Sequence, residues 1–394
     1  MQALAAGLYK PSVPQAHMPP RRWIAHLDMD AFYASVELLR YPELAGQAVV
    51  IGGGRRHQPV TLPDGTRQFA VLTGYAGRGV VTTATYPARD LGVHSGMGLM
   101  KAALRAPQAV LLPVDFERYR HYSRLFKAAV AEVAPLIEDR GIDEIYIDLT
   151  DIPGAQDSLA HDSAGGVRAV AQEIRNNVRR STGLSCSIGV TPNKFLAKIA
   201  SELDKPDGLT VLTHADIAQR VWPLAVRRVN GIGPKAAAKL AALGVHTVGE
   251  LAQRERGWLV EHFGRAYGRW LWDAARGIDD RPLVTHGEPV SMSRETTFDR
   301  DLHAVRDRSE LTRIFTELAT QVATDLQRKG YAGRTIGIKL RFEDFKTVTR
   351  DLTLPKAVAD AAAIRHAAGL CLKRVDLSRR LRLLGVRAAG LVRL

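Results

Sequence analysis

Hydrophobic and polar positions in the first half of the chain predict strands interleaved with helices. The apolar run Trp23–Met29 predicts a buried strand, and the alanine and leucine spacing over Ala31–Leu39 predicts a helix directly after it. Further strands are predicted at Ala48–Ile51, Val80–Thr85, Ile142–Leu149 and Ser185–Val190, and further helices at Tyr119–Ile137, at Val167–Arg180 and from Pro192 to Lys198. This interleaving is typical of a mixed α/β core.

The stretch Arg55–Gly79 interrupts this pattern because it is polar and rich in glycine. Pro63, Asp64 and Gly65 form a turn signal between two β-like runs. We therefore expect a hairpin here. The stretch is a candidate contact for a template or a partner, and a tolerated surface hairpin is the alternative.

The pattern changes after Leu212. Residues 214–280 are rich in alanine, leucine and arginine and predict short helices separated by glycines, and Val284–Ser293 predicts a linker. Beyond it the predicted elements are strands at Thr335–Phe342, Thr347–Leu354 and Leu381–Gly390, and helices at Ser309–Lys329 and Ala357–Val375. The second half thus ends in a compact α/β unit of its own.

Composition and charge narrow the function. A chain of 394 residues suggests two to four domains, and 46% hydrophobic residues are normal for a globular protein. The net charge is +14, and residues 290–394 hold 21 basic against 12 acidic residues, whereas residues 1–213 hold 23 against 21. A near-neutral front joined to a basic back is typical of a catalytic domain followed by domains that grip a polyanion, although basic residues also serve solubility alone.

Two further features bear on location. No apolar run reaches the ~18 residues of a membrane-spanning helix, and residues 1–20 resemble a loose tail more than a secretory signal. The two cysteines, Cys186 and Cys371, have neither metal-ligand spacing nor the pattern of a disulfide framework. We therefore expect a cytoplasmic protein without a membrane partner.

Three acidic residues lie at the ends of predicted strands. Asp28 lies at the end of the first strand, and Asp143 and Glu144 lie near the start of a later one. Clustered carboxylates suit hard divalent cations such as Mg²⁺, and two such ions can stabilise the attacking and leaving oxygens of phosphoryl transfer. Adjacent strand residues point to opposite faces, so Asp143 and Glu144 converge only if the backbone near Gly141 is irregular. The alternative is that each acid is a cap or a surface charge.

Six segments carry a family resemblance. They are DMDAFYASVE (Asp28–Glu37), TTATYPARDLGVHSGM (Thr82–Met97), GIDEIYIDLT (Gly141–Thr150), SIGVTPNKFLAKIASELDKPDG (Ser187–Gly208), VNGIGPKAAAKLAALGV (Val229–Val245) and LRLLGVRAAGL (Leu381–Leu391). Together, and in this order, they resemble the motifs of the Y-family translesion DNA polymerases, in particular the DNA polymerase IV branch. The resemblance covers roughly residues 21 to 392.

The resemblance implies a multidomain fold that combines α/β and α+β parts, shaped as a right hand with an added little finger. The implied domains are a tail at 1–20, a catalytic palm at 21–31 and 115–213, fingers at 32–114, a thumb at 214–283, a linker at 284–292 and a DNA-binding little finger at 293–394.

The resemblance also implies roles for single residues. The metal ligands would be the carboxylates of Asp28, Asp143 and Glu144, which are also the catalytic residues, and the backbone carbonyl of Met29; Asp30 would be structural. The implied cofactor is Mg²⁺, as two ions, with Mn²⁺ as a substitute. The nucleotide-binding residues would be Phe32, Tyr33, Tyr86, Arg89 and Lys205.

Each of these roles has a plainer alternative. Tyr33 matches the steric gate, an aromatic ring under the sugar that leaves no room for a 2′-OH; the alternative is a core tyrosine. Tyr86, Arg89 and Lys205 match positions that hold the triphosphate, and solvated surface charge is the alternative for the two cations.

A helix-hairpin-helix is predicted at Gly231, Gly233 and Lys235, where small residues let the backbone approach a phosphate and Pro234 suits a first helical position. A plain glycine-rich turn between helices is the alternative. Such contacts would position DNA without reading its sequence.

The expected activity is template-directed addition of deoxynucleotides to a primer 3′-OH, with low fidelity and bypass of damaged bases. Such an enzyme would be a nucleotidyltransferase that acts in DNA repair and replication. Its low fidelity would make it a mutator. Two alternatives stay open: a catalytically weak DNA-binding accessory protein, and another palm-type nucleotidyl transferase such as a cyclase. Expected partners are primer–template DNA and deoxynucleoside triphosphates, bound by a monomer.

The sequence departs from the family pattern in three places. Gly141 stands where serine is usual, Ile145 replaces the usual alanine, and Arg55–Gly79 is longer than is typical for the fingers. A sliding clamp is an expected partner of bacterial members, but no convincing clamp-binding peptide precedes Leu394, so clamp recruitment stays open.

Overall fold

The structure is a computed structural model that describes residues 20–54, 57–159 and 161–394. The predicted tail at 1–20 therefore lies outside the described residues except for Pro20, and so do the first two residues of the predicted hairpin stretch. The described chain divides into two compact units. The first comprises the residues up to Ile51, Thr83–Arg89 and Val114–Thr285, and the second comprises Gly52–Thr82, Asp90–Pro113 and His286–Leu394.

The described strands are β1 (Ile24–Met29), β2 (Val49–Gly52), β3 (Val60–Thr61), β4 (Arg67–Gln68), β5 (Ala70–Val71), β6 (Val81–Ala84), β7 (Val110–Leu112), β8 (Ile137–Asp139), β9 (Glu144–Asp148), β10 (Cys186–Thr191), β11 (Leu209–Val211), β12 (Ser291–Leu302), β13 (Tyr331–Phe342), β14 (Thr347–Val358) and β15 (Leu381–Arg393).

The described α-helices are α1 (Phe32–Arg40), α2 (Tyr86–Asp90), α3 (Leu99–Arg105), α4 (Phe116–Ala131), α5 (Gly165–Thr182), α6 (Lys194–Ala200), α7 (Pro234–Ala242), α8 (Val248–Ala252), α9 (Arg256–Phe263), α10 (Arg265–Ala275), α11 (Arg308–Lys329) and α12 (Ala361–Leu372). None of the described helices is long and apolar enough to cross a membrane.

A five-stranded sheet forms the centre of the first unit, with the strand order β11-β10-β1-β9-β8. β1 pairs antiparallel with β10 on one side and with β9 on the other. Its apolar side chains are buried because α6 packs against β1 and β10, and α5 packs against β10. The last residues of β1 are therefore held rigidly, because this strand is central and is paired on both sides.

The helical segment after β11 shares a core with α6, the helix that packs against the five-stranded sheet. Residues of α6 and of the short helices lie in one buried cluster that includes Leu196, Leu240, Leu251, Leu259 and Leu271. α8 begins with a capping box, in which the Thr247 and Glu250 side chains each accept from the other's backbone N–H. The prediction of short helices separated by glycines is confirmed here.

A four-stranded antiparallel sheet ends the second unit, with the order β12-β15-β13-β14. Alternate residues of β13, such as Ile336, Ile338 and Leu340, join α11 and α12 in one buried cluster. The residues between them, Gly337 and Lys339, face the opposite side, which neither helix covers. This helix-free face also includes Glu295 of β12, Asp351 of β14, and Gly385 and Arg387 of β15.

The remaining strands belong to the segment between α1 and α4. One sheet has the order β5-β7-β2-β6, and β3 pairs with β4 as a short antiparallel hairpin. Asp64 closes the hairpin turn by accepting from the Thr66 N–H at 2.9 Å. The predicted hairpin and its turn are thus confirmed among the described residues, although the paired part is shorter than the stretch Arg55–Gly79.

Several predicted boundaries are wrong. The helix expected to end at Ile137 ends at Ala131, because Pro135 cannot continue it and Ile137 already belongs to β8. The helix expected from Pro192 starts at Lys194, with Asn193 as its N-cap. The expected linker overlaps β12, a strand that the sequence interpretation missed because its polar residues alternate with few apolar ones.

Candidate active site

The register of the central sheet brings two of the three acids together. Asp28 lies directly opposite Glu144 on neighbouring antiparallel strands, so their side chains leave the same face of the sheet. Asp143 lies one residue before β9, and its backbone carbonyl accepts from the Met29 N–H at 3.0 Å. Residues 141–143 are bends, so the predicted irregular backbone before Glu144 is confirmed.

A lysine neutralises Asp28. The Lys205 Nζ donates to Asp28 Oδ1 at 2.7 Å and also contacts Glu202 Oε1 at 2.6 Å. Burial raises the pKa of Asp28, and the lysine opposes that shift without cancelling it. Burial works against the charge of Lys205 as well, but the two carboxylates together raise its pKa above the ordinary value. The pair is a compact charge centre beside the sheet.

Glu144 has two cationic or proton-donating neighbours. Its Oε2 lies 3.3 Å from Nε2 of His26 and accepts a short hydrogen bond from Lys198 Nζ. The hydrogen bond to His26 and the charge of Lys198 lower the pKa of Glu144 to about 2 despite partial burial. His26 is fully buried, and its Nδ1 lies 2.8 Å from the Ser201 hydroxyl. Burial lowers the pKa of His26.

Asp143 is the third acid, and burial together with the charge of Glu144 raises its pKa. Within residues 20–54, 57–159 and 161–394, no three His, Cys, Asp or Glu side chains are gathered into a ready metal-ligand group. Instead, lysines hold Asp28 and Glu144. Asp28 and Glu144 lie opposite each other with Asp143 next in the chain, and carboxylate oxygens are the donors that hard divalent cations prefer, so these residues fit such an ion.

Aromatic rings flank the acids. The Tyr33 ring stacks on Tyr119 at 4.3 Å between centroids, and Phe116 meets the Tyr33 ring edge-on at 5.9 Å. The Phe32 side chain is buried, whereas Tyr33 is half-buried. Tyr33 is held from behind, which fixes the orientation of its ring and leaves part of it accessible.

Tyr86 and Arg89 lie on α2. The Arg89 guanidinium lies over the Tyr86 ring at 4.8 Å from its centroid, and its Nε donates to the Ala84 carbonyl at 3.0 Å. Burial and the nearby Asp30 carboxylate raise the pKa of Tyr86 to about 12, so the phenol stays protonated. Both side chains are half-buried, and a guanidinium has further N–H donors that suit an anion.

Three family models match the chain. The impB/mucB/samB family model matches residues 27–202, its C-terminal domain model matches residues 289–393, and the DNA polymerase eta/Rev1 helix-hairpin-helix model matches residues 224–278. These matches follow one another along the chain without overlap.

Curated relatives match over most of their length. A DNA polymerase IV of Halorhodospira halophila is 40% identical over 371 residues, which are 94% of this chain and 95% of the relative. A DNA polymerase IV of Methanoculleus marisnigri is 39% identical over 371 residues, with 94% of each chain covered. The chain belongs to the Y family of DNA polymerases, in its DNA polymerase IV branch.

The fold agrees with this family membership. A solved Y-family DNA polymerase chimera superposes with a TM-score of 0.78 over 94% of this chain and 100% of that chain, at 23% sequence identity. The likeness extends to the C-terminal unit, so the multidomain fold expected from the sequence is confirmed.

Asp30 is structural in this Y-family chain, as expected. It is buried, and its carboxylate accepts from the hydroxyls of Ser185 and Ser187 at 2.8 Å each and from the Asp207 N–H at 2.8 Å. The Tyr86 hydroxyl is a fourth donor, at 3.5 Å from Oδ1, so the carboxylate has little capacity for another ligand. Asp30 therefore ties β1 to β10 and to the loop before β11.

The helix-hairpin-helix segment that the family model matches has the predicted local geometry. Pro234 is the first residue of α7, and Gly233 caps it with an extended backbone. Gly231 has a φ of +103°, and a side chain there would strike the Trp270 ring. Lys235 lies in the first turn of α7 and is exposed.

The sequence interpretation missed four residues of this site: His26, Lys198, Ser201 and Glu202. A signal for His26 was present, because it lies two residues before Asp28 on a strand and therefore shares its face. Glu202 lies three residues before Lys205, so the local spacing is a signal for that pair. Lys198 lies within a quoted motif, but its pairing with Glu144 depends on how α6 packs beside β1. No local pattern gives that packing.

Proposed function

We propose that this chain is a template-directed, low-fidelity DNA polymerase that adds deoxynucleotides to a primer 3′-OH and bypasses damaged bases. The observation that carries the proposal is the sheet register that sets Asp28 opposite Glu144 with Asp143 at the adjoining bend. A family member with this acidic edge intact keeps the groups that phosphoryl transfer requires.

The carboxylates of Asp28, Asp143 and Glu144 and the backbone carbonyl of Met29 would hold a divalent cation, which we propose to be Mg²⁺, as two ions, with Mn²⁺ as a substitute. When bound, such ions neutralise the charge that develops on the phosphoryl oxygens. The chain's own part is to place the carboxylates on rigid strands. Lys198 and Lys205 hold Glu144 and Asp28, and a bound cation would compete with these lysines for the carboxylates.

Nucleotide binding would use the cations and rings around the acids. We propose that Tyr86, Arg89 and Lys205 hold the triphosphate, because a guanidinium fork and an ammonium bind phosphate oxygens well. Phe32 and Tyr33 would lie against the sugar. Tyr33 is suited to be the gate because its stacking on Tyr119 prevents the ring from turning away from a 2′-OH.

The gate has a direct test. Tyr33→Ala should raise ribonucleotide incorporation relative to deoxynucleotide incorporation by one to two orders of magnitude, roughly, because the 2′-OH then meets no ring. Phe116→Leu is the matched control, since it alters the same aromatic cluster without removing the gate ring. An unchanged ratio for Tyr33→Ala would reject the gate.

DNA binding would be shared between two regions. Gly231, Gly233 and Lys235 would hold a backbone phosphate, and residues 293–394 would grip the duplex through their excess of basic side chains. Affinity should then fall steeply as salt rises. We further propose a palm at 21–31 and 115–213, fingers at 32–114, a thumb at 214–283 and a linker at 284–292.

The decisive experiment is primer extension by the wild type and by the double variant Asp143→Ala/Glu144→Ala. Extension that depends on Mg²⁺ and is lost in the variant is expected. Equal activity in both would sink the proposal, and duplex binding without any synthesis in either would favour an accessory protein instead. Duplex binding by the variant shows that it is folded.

We propose a monomer that acts in the cytoplasm, where primer–template DNA and deoxynucleoside triphosphates are its partners. Both cysteines are free and buried, as suits a reducing compartment. Recruitment by a sliding clamp is an open part of the proposal, which a pull-down with the purified clamp would test.

A further inference from the structure

Two ion pairs cross the helix-free face of the C-terminal sheet in an unusual way. Lys339 Nζ on β13 contacts both carboxylate oxygens of Glu295 on β12, at 2.9 and 3.1 Å. These strands are not neighbours, because β15 lies between them. The pair is possible because Gly385 occupies the intervening position, opposite both Glu295 and Lys339.

The second pair has the same arrangement two residues further along the strands. Arg387 Nη2 on β15 donates to Asp351 Oδ1 on β14 at 2.9 Å, and β13 lies between these strands. The intervening residue is Gly337, which lies opposite both partners. A Cβ on Gly337 would overlap the Asp351 carboxylate.

The rest of this face is suited to a polyanion. Besides the two pairs and the two glycines, its outward positions hold one more cation, two apolar residues and a set of hydroxyls: Arg341, Leu383, Ala389, Ser291, Ser293, Thr297, Thr335, Thr347, Thr349 and Thr353. The two glycines let a ligand backbone approach the sheet closely. Three cations face outward, and two carboxylates reduce their charge from +3 to +1.

The pairs are exposed enough to exchange partners. The side chains of Lys339 and Glu295 are 36% and 44% exposed, and those of Arg387 and Asp351 are 46% and 42% exposed. Exposed pairs of this kind contribute little to stability, because water and salt screen the two charges. A phosphate oxygen can therefore take either cation at little cost, but the carboxylate left beside it repels the phosphate.

We propose that Glu295 and Asp351 act as built-in competitors for DNA phosphates on the helix-free face, each holding a phosphate-binding cation and thereby limiting affinity for duplex DNA. The inference rests on the proposed function, since it assumes that this face meets DNA. Its consequence is a polymerase that releases its duplex readily, because two of its three outward cations always have an internal alternative.

The test is duplex affinity of the full-length protein, measured by fluorescence anisotropy with a labelled primer–template at several salt concentrations. Glu295→Gln and Asp351→Asn should each tighten binding about two- to fivefold at low salt, by removing a like charge near phosphate. The double variant should tighten binding further.

The matched control is Glu317→Gln. Glu317 is an exposed acid on α11, paired with Arg313 at 3.0 Å, and its replacement changes net charge by the same amount on the helix-covered side. Under the proposal this control changes affinity much less than Glu295→Gln. Equal tightening by the two variants would overturn the proposal, because net charge alone would then explain the effect.

A second comparison tests the pairing itself. Lys339→Met should weaken binding and lower the salt slope by about one, as for loss of one phosphate contact. Adding Glu295→Gln to Lys339→Met should recover less affinity than it adds to the wild type, since the competed cation is gone. A gain in duplex affinity as large in the Lys339→Met background as in the wild type would contradict the proposal.

The failure of this inference differs from the failure of the proposed function. A wild type that neither binds duplex nor extends a primer would reject the proposed function. A wild type that does both, with Glu295→Gln indistinguishable from Glu317→Gln, would reject the competition alone.

Discussion

Carboxylate–cation pairs occur on both the five-stranded sheet of the first unit and the C-terminal sheet, but burial gives them different properties. In the first unit, Lys194 and Glu138 are 6% and 3% exposed and lie 2.5 Å apart. In the second, Lys339 and Glu295 are 36% and 44% exposed at nearly the same separation. A buried pair cannot lose one partner without stranding a charge, whereas an exposed pair can give its cation to a ligand.

The pairs of Asp28 with Lys205 and of Glu144 with Lys198 lie between these two extremes of burial. Lys205 and Asp28 are 16% and 18% exposed, so the pair is partly desolvated but open to one side. Such a pair is costly to leave unmade and yet reachable by a ligand with stronger charge. Partial burial is therefore the property that suits a carboxylate both to hold a lysine and to exchange it for a metal ion.

The largest expected effect concerns the candidate metal ligands Asp28, Asp143 and Glu144. Asp143→Asn should lower the rate of primer extension about a thousandfold or more, because a neutral amide supplies neither the charge nor the second oxygen that a cation requires. The measurement is single-turnover extension at saturating Mg²⁺. Asp148→Asn is the control, since Asp148 lies on β9 at the end away from Glu144. Activity of Asp143→Asn within about tenfold of wild type would contradict the assigned role.

The next effect concerns stability. Glu138 accepts from Lys194 and from the Val284 N–H at 2.8 Å, so Glu138→Gln would strand a buried ammonium and should destabilise the first unit by about 3 kcal/mol. Urea unfolding followed by tryptophan fluorescence measures the change.

The control for that prediction removes both charges. Glu138→Leu/Lys194→Met should cost less than Glu138→Gln, because it leaves no buried charge unpaired; Arg140, which also contacts Glu138, is exposed to solvent. A double variant that is as unstable as, or less stable than, the single one would indicate that packing, and not the charge, dominates at this position.

The sequence predicted the parts of this molecule that depend on local pattern. The strand of Asp28, the helix after it and the irregular backbone at 141–143 follow from apolar periodicity and from the two-residue repeat of strands. Pro234 at the start of α7 follows from the fixed φ of proline. Resemblance to the family, and not periodicity, selected Asp28, Asp143 and Glu144 from the other acids.

The missed features depend on long-range packing. The interpretation overlooked β12, whose few apolar residues are spread among charges that pair with other strands, such as Glu295 with Lys339. It also overlooked Lys198, because α6 brings this lysine to Glu144 from 54 positions away in the chain. Neither pairing leaves a trace in local composition. The assigned roles of the site residues remain predictions.

A smaller effect is expected at acidic pH, where the Glu138 carboxylate that pairs with Lys194 becomes protonated. Burial alone would raise the pKa of Glu138, but the hydrogen bonds from Lys194 and Val284 outweigh it and hold the pKa below the ordinary value of 4.5. A lowered folded-state pKa adds stability above pH 4.5, and this stability is lost as pH falls through the lowered pKa. The gap in unfolding free energy between wild type and Glu138→Gln should therefore narrow below pH 4.5. A gap that stays constant down to pH 3 would contradict the pairing.

The smallest effect is expected where the pairs are exposed. Lys339→Met should change the unfolding free energy of the C-terminal unit by less than about 1 kcal/mol, because solvent screens the pair and the lysine's aliphatic stem is replaced by a similar one. Urea unfolding of the full chain, set beside its duplex affinity, measures both quantities on one variant. Weaker DNA binding without loss of stability would mark Lys339 as a cation kept for a ligand. A loss of stability as large as that of Glu138→Gln would mean instead that burial does not separate the two sheets, and that the strand-crossing pair holds β12 to β13.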